Sequence, residues 1–172
     1  DLKPANVILE RLRGGRTRAV IVDFGMGRLI SHQVDGDAPG ITDAHMALGT
    51  MEYMAPEQVL NSRNVTGAAD LYAVGALLYR AVSGEHVYGT LKEQDLALAK
   101  LKQPAPTLAT GRSDRCAAGF VEVVARALRR SAVERFENAD AMLGALARLR
   151  EKPAAVAPLP VAVAPAPAPQ PA

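Results

Sequence analysis

The first six residues, Asp1-Leu2-Lys3-Pro4-Ala5-Asn6, place a carboxylate, an ammonium and an amide on one short loop. Pro4 stiffens the turn between them. A strand-like run, Val7-Ile8-Leu9, follows, and a second, Ala19-Val20-Ile21-Val22, leads into Asp23-Phe24-Gly25. Paired as a β-hairpin, these runs bring two carboxylates, one amide and one lysine toward the same ends. Hard divalent cations prefer oxygen ligands, and a lysine supplies a point charge for phosphate. The set therefore suits a site that holds divalent metal and phosphate together.

The hairpin connection from Glu10 to Arg18 carries Arg11, Arg13, Arg16 and Arg18. No aromatic residue interleaves with them, so a solvated tip is favoured over a nucleic-acid surface. From Met26 to Met54 the chain is polar and without periodicity, and it contains Ser31, His32, Thr42 and His45. The histidines have no metal-ligand spacing with any cysteine, which favours solvated or capping roles.

Helices should then follow. Pro56 suits the first turn of a short helix through Leu60, and the stretch from Asn61 to Thr66 breaks it. Thr66 is a candidate N-cap for a helix from about Ala68 to Val82. Leu71, Val74, Leu77, Leu78 and Ala81 make that helix apolar on nearly all sides, the mark of a buried central helix. Gly84 is a natural stop. Asp70 near its start is the exception, because a buried carboxylate must be hydrogen-bonded or it costs several kcal/mol. The alternative is a first-turn acid favoured by the helix dipole.

Leu91 to Leu101 reads as an amphipathic helix ended by Pro104 and Pro106. Asp114 to Arg129 reads as another, with Val121, Val124 and Leu128 on one face. Ser131-Ala132-Val133-Glu134 has the pattern of a capping box. Asn138 can cap a last helix that turns Met142, Leu146 and Leu149 inward. From Pro153 onward the chain is Ala, Pro and Val without a charged residue. That composition predicts an extended, disordered tail.

Composition sets the outer limits. The 172 residues allow one domain, residues 1–150, and a linker-like tail, residues 151–172. A domain of about 150 residues buries roughly 68–70% of its unfolded surface, enough for a core. The formal charge of +2 is too small to imply a nucleic-acid partner. The single cysteine, Cys116, excludes an internal disulfide and fits a reducing compartment. No apolar run is long and uninterrupted enough to span a bilayer, and no signal peptide opens the chain.

The motifs resemble those of protein kinases. Asp1 to Asn6 is similar to the catalytic loop H-R-D-x-K-x-x-N entered at its Asp, Asp23-Phe24-Gly25 to the metal-binding D-F-G, and Ala55-Pro56-Glu57 to A-P-E. Gly49-Thr50 and Tyr53-Met54 match the family's substrate-side loop. Three motifs in order and spacing are far more specific than one. Bacterial Ser/Thr kinases are the closest-looking branch.

The resemblance implies an α+β, mainly α-helical fold: a kinase C-terminal lobe with a short β-hairpin. It implies ATP and Mg²⁺ as cofactors and a protein Ser/Thr hydroxyl as acceptor. Asp23 would hold the metal bridging the ATP phosphates, and Asn6 the second metal. Asp1 would orient the acceptor hydroxyl and take its proton. Lys3 would neutralise charge on the moving phosphoryl group, and Thr50 would serve in the substrate loop. Asp70 would anchor the catalytic loop, Glu57 would pair with Arg135, and Thr42 or Ser31 in the activation segment are candidate phosphosites.

No Gly-rich phosphate loop, strand-borne catalytic lysine or partner glutamate occurs in these residues. The expectation is a fragment whose N-terminal lobe is a missing partner, and which is inactive alone. A cytoplasmic location is expected, with membrane anchoring of the whole protein resting on analogy with receptor-type kinases. A pseudokinase-like binding scaffold is the alternative, and an unrelated helical interaction domain with accidental motifs is a third reading.

Overall fold

The computed structural model describes residues 1–23, 51–60, 65–108 and 118–151. Ser31, His32, Thr42, His45, Thr50, Cys116 and the Pro/Ala-rich tail lie outside the described residues.

The chain begins with a 3₁₀ turn, Pro4–Asn6, and enters an antiparallel hairpin of β1 (Val7–Arg11) and β2 (Thr17–Ile21). Val7 pairs with Ile21 and Arg11 with Thr17. Gly14 and Gly15 turn the tip with φ of 81° and 74°, a left-handed backbone open to glycine at no steric cost. The hairpin is thinly packed: Ile8, Leu9 and Ile21 are exposed, while Leu2 at its base packs on the helical core.

Five helices follow among the described residues: α1 (Pro56–Val59), α2 (Ala68–Ser83), α3 (Glu93–Lys102), α4 (Ala118–Ala127) and α5 (Ala139–Glu151). This mainly helical fold with one hairpin is the kinase-like C-terminal lobe that the motifs imply. α2 is its axis. One side packs Tyr72, Ala73, Ala76 and Tyr79 against Tyr53, Val87, Leu108 and Val124. The other side packs Leu71 against Val123, Ala127, Phe136 and Met142. The inward face therefore rests on tyrosines and alanines more than on the aliphatic set expected, and Ala81 is exposed.

Helix ends explain several departures from expectation. Gly67, not Thr66, holds the N-cap of α2; Thr66 lies one residue earlier, and its Oγ1 accepts only a long bond from Ala68 N–H, 3.4 Å. Gly84 ends α2 at φ 82°, with its N–H on Arg80 O at 2.8 Å, as a C-terminal glycine should. α3 starts at Glu93, two residues later than Leu91, with Glu93 and Asp95 at its positive end and Lys100 and Lys102 at its negative end. The capping box at Ser131 does not form. Ala132–Glu134 is a single 3₁₀ turn, the Ser131 side chain makes no cap bond, and Glu134 N–H goes to the Ser131 carbonyl instead. Asn138 does cap α5, its Oδ1 accepting Ala141 N–H at 2.8 Å.

Gly75 marks the closest approach of α2 to α4. A Cβ there would lie 2.8 Å from the Ala127 Cβ and 3.3 Å from Leu128. Alanine's helix propensity would return about 1 kcal/mol, but the overlap with a rigid neighbour forces the two helices apart. Gly75→Ala is expected to destabilise the fold by about 1–2 kcal/mol net, read as a lower urea midpoint with an unchanged slope.

Candidate active site

The opening loop is built from its own backbone. Lys3 is extended, Pro4 starts the 3₁₀ turn, and Asn6 N–H closes it on Lys3 O at 2.9 Å. Asn6 is buried, and its Nδ2 donates to Asp1 O at 2.8 Å. The amide thus cinches the loop and leaves its carbonyl oxygen as the ligand-capable atom. Lys3 Nζ donates to Asp1 Oδ2 at 2.8 Å, with both side chains about one-quarter exposed.

The hairpin register then brings in the second carboxylate. Val22 N–H donates to Asn6 O at 2.9 Å, which extends the ladder by one step past Val7–Ile21. Asp23 is the next residue, beside the loop that Asp1 and Asn6 occupy. Asp23 is also the one non-glycine residue among those described with positive φ, 61°. Aspartate tolerates this region better than most side chains, yet such a conformation persists only where the surroundings demand it. The donor set is oxygen-only, a carboxylate and an anchored amide, and fits a hard divalent cation.

Asp70 departs from expectation. It is exposed, at the first turn of α2, on a shallow hollow lined by Asp1, Leu2, Tyr53, Met54, Gln58, Ala69 and Ala73. Water reaches the carboxylate there, so burial does not demand a partner. It lies beside the catalytic loop without a hydrogen bond to it among the described residues.

Glu57 and Arg135, by contrast, meet directly. Arg135 Nη1 and Nη2 donate to the two Glu57 oxygens, each at 2.7 Å. The guanidinium's remaining donors go to Ala68 O, Arg129 O and Arg130 O at 2.8, 2.7 and 3.1 Å. All five N–H groups are used and the side chain is fully buried. On the other partner's strand of chain, Gln58 Oε1 accepts Ala55 N–H at 2.9 Å and fixes the start of α1.

Comparison with known proteins decides what this arrangement is. The family model described as protein kinase domain matches residues 1–143. This chain belongs to the protein kinase family. It is 36% identical over 141 residues to the serine/threonine-protein kinase PknJ of Mycobacterium tuberculosis, covering 81% of this chain and 23% of that protein. It is 43% identical over 89 residues to PkaA of Streptomyces coelicolor, 52% of this chain and 15% of that one. To Pkn1 of Myxococcus xanthus it is 35% identical over 148 residues, 85% of this chain and 20% of the relative. The bacterial Ser/Thr branch is therefore the right one, and the chain spans less than a quarter of these relatives.

Within this kinase lobe sits a residue that sequence reasoning passed over. Lys100 on α3 is fully buried. Its Nζ donates to Met54 O at 2.9 Å, Glu52 O at 3.1 Å and Tyr72 Oη at 3.4 Å, and lies 4.9 Å from the Tyr72 ring centre. Burial lowers its pKa to about 7, against a smaller upward pull from Glu52. The signal was present in the pattern: Leu96, Ala99 and Lys100 share the buried stripe of α3 at helical spacing. Nearby, Arg80 Nη1 donates to Tyr53 Oη at 2.6 Å, and His86 packs edge-on to the Tyr53 ring.

Two stability effects follow from these charges. Burial pushes the Glu57 carboxyl up, but the Arg135 hydrogen bonds and charge outweigh it and hold the pKa below 4.5. Glu57→Ala strands a buried guanidinium and is expected to cost about 3–5 kcal/mol in chemical denaturation at neutral pH. A depressed acid stabilises above its unfolded pKa, so the gap between wild type and variant should close as pH falls from 4.5 through the lower folded value.

For Lys100 the pH dependence has the same sign, in a higher window. The unfolded lysine keeps its proton to 10.5 and the folded one releases it at about 7. Between those values the unfolded state binds more protons, so wild-type stability should rise with pH relative to Lys100→Met. Denaturation midpoints of the two proteins across that range measure the difference.

Proposed function

We propose that these residues form the C-terminal lobe of a Ser/Thr protein kinase, residues 1–150 being the kinase part and 151–172 a linker. The reaction is transfer of the γ-phosphoryl group of ATP to a protein Ser or Thr hydroxyl. The observation that carries this reading is the Val22–Asn6 hydrogen bond, which sets Asp23 beside the Asp1–Asn6 loop.

Asp1 orients the acceptor hydroxyl and takes its proton as the oxygen attacks γ-phosphorus and the bond to the ADP oxygen breaks. Lys3, already on one Asp1 oxygen at 2.8 Å, keeps the carboxylate aimed and brings positive charge to the transferring group. Asp23 and the Asn6 carbonyl are the ligands for Mg²⁺. When bound, Mg²⁺ supplies neutralisation of charge on the phosphate oxygens. Thr50 belongs to the acceptor side, Asp70 to the support of the catalytic loop, and Thr42 is the candidate regulatory phosphosite. Catalysis in this class is mostly positioning and charge stabilisation, so the rigid backbone of the loop is itself part of the mechanism.

ATP dependence places the reaction inside the cell, and no helix among the described residues is long and apolar enough to cross a membrane. Residues 1–172 by themselves should transfer phosphate negligibly. A single transition-state cation in this chemistry is worth about 10³–10⁵ in rate, and the phosphate-covering loop and lysine of the other lobe are not among them.

The test is radiolabelled transfer from ATP to a Ser/Thr protein substrate by a polypeptide that carries these residues together with an ATP-binding lobe. Asp1→Asn should lower kcat by about 10²–10⁴ with ATP binding retained, and Asp23→Ala should remove Mg²⁺-dependent ATP binding in calorimetry. Absence of transfer by the unmutated polypeptide, with ATP or partner binding intact, would favour the pseudokinase-like scaffold.

A further inference from the structure

Glu52 and Met54 flank Tyr53 in the segment just before Ala55-Pro56-Glu57. Met51–Tyr53 is a single 3₁₀ turn, too short to satisfy its own carbonyls. The Glu52 and Met54 carbonyls both accept from Lys100 Nζ on α3, 48 and 46 residues further along the chain. The Glu52–Tyr53 and Met54–Ala55 peptide planes are therefore fixed by one ammonium. The tip of the Tyr53 ring is fixed separately, by Arg80 at 2.6 Å.

A lysine used only to fill the core would be a poor choice, since an apolar side chain of equal volume avoids the desolvation of an ammonium. What an apolar residue cannot do is donate to two carbonyls at once. Glu52 adds a second sign of functional tension: its Oε2 is buried without a hydrogen-bond partner. Buried, unsatisfied polar atoms are rare and concentrate where structure serves something besides stability.

We propose that Lys100 is a positioning residue for the acceptor peptide: by gripping the Glu52 and Met54 carbonyls it sets the shape of the loop against which the acceptor lies. The proposal rests on the reading of that loop as the substrate side of a kinase. Lys100 does not touch ATP, metal or the reacting atoms. Its effect falls on peptide binding.

The charged and titratable groups around Lys100 are Glu52 from the loop, Tyr72 and Arg80 from α2, and His86 and Tyr88 from the α2–α3 connection; Arg135 also lies over the Tyr72 ring. Burial raises both tyrosines above their ordinary value, and burial with Arg80 lowers His86 below 6.5. Of these groups, only Lys100 is brought near 7, by its burial. Loss of its proton leaves two N–H donors for the Glu52 and Met54 carbonyls but removes the charge that strengthens both bonds, so the loop should report the step.

The measurement is NMR on the full 172-residue chain with labelled lysine, from about pH 5.5 to 8.5, bracketing the step. The Lys100 side-chain resonance and the amides of residues 51–54 are expected to move together with one midpoint, while α5 amides stay still. Loop amides that ignore the Lys100 titration, or α5 amides that move equally, would overturn the proposal. In Lys100→Met, the 51–54 amides should exchange about tenfold faster than in wild type with α5 little changed; uniform acceleration would mark a merely structural residue.

In a polypeptide with peptide kinase activity, Lys100→Met should raise KM for the peptide about tenfold with KM for ATP unmoved. If the unmutated polypeptide phosphorylates nothing, the kinase reading fails. The acceptor role of Lys100 falls with it, and a coupled titration would then describe a loop clamp only.

Discussion

The described helical part depends on one buried guanidinium. Arg135 carries a full positive charge in a place water does not reach, and the fold answers every one of its donors. Its partners come from three separate parts of the chain: α1 through Glu57, the start of α2 through Ala68, and the turn after α4 through Arg129 and Arg130. Such an arrangement adds little net stability over an apolar core of the same shape. What it adds is a geometric requirement, because a packing of these segments that failed to supply all five acceptors would strand a buried charge. The face of Tyr72 lies 5.0 Å from the guanidinium carbon and closes the site from α2.

Tyr72 connects this anchor to the 51–54 segment through Lys100. Its ring faces Arg135 and its hydroxyl receives Lys100, so two buried cations flank a single aromatic residue. The loop preceding Ala55 is thereby held between α2 and α3 by polar contacts that also touch the Glu57–Arg135 pair. The opening loop is held differently, by short-range bonds among Asp1, Lys3 and Asn6 and by one rung of the hairpin. The opening loop and the 51–54 segment thus have separate supports in the same lobe.

Much of this was legible in the sequence, for identifiable reasons. Asp1, Asn6 and Asp23 could be placed together because a hairpin has a fixed period and a short connection. Gly84 and Asn138 could be read as helix ends because left-handed backbone and orphan amides select those residue types. For Asp70, burial is read from its position in an apolar helix, whereas the first turn of α2 leaves it exposed on a shallow hollow, the setting in which the helix-dipole alternative holds. Thr66 and Ser131 have good capping side chains one step away from where, or in a turn too short for which, a cap is needed. Lys100 was invisible because lysine usually marks solvent, and only its partners, about fifty residues away, reveal the acceptors that justify its burial.

The distance along the chain between Glu57 and Arg135, 78 residues, has a consequence for how the molecule reaches its native state. Closing a loop of that length carries an entropy penalty on the order of 4 kcal/mol, comparable with what the pair can return. The ion pair therefore cannot lead; α2 and α4 must already be docked before the guanidinium finds its acceptors. On a ribosome, where residues emerge at roughly 5–20 per second, α1 waits several seconds after its own synthesis with an unanswered carboxylate. A nascent chain stalled before residue 135 would be a natural client for chaperones.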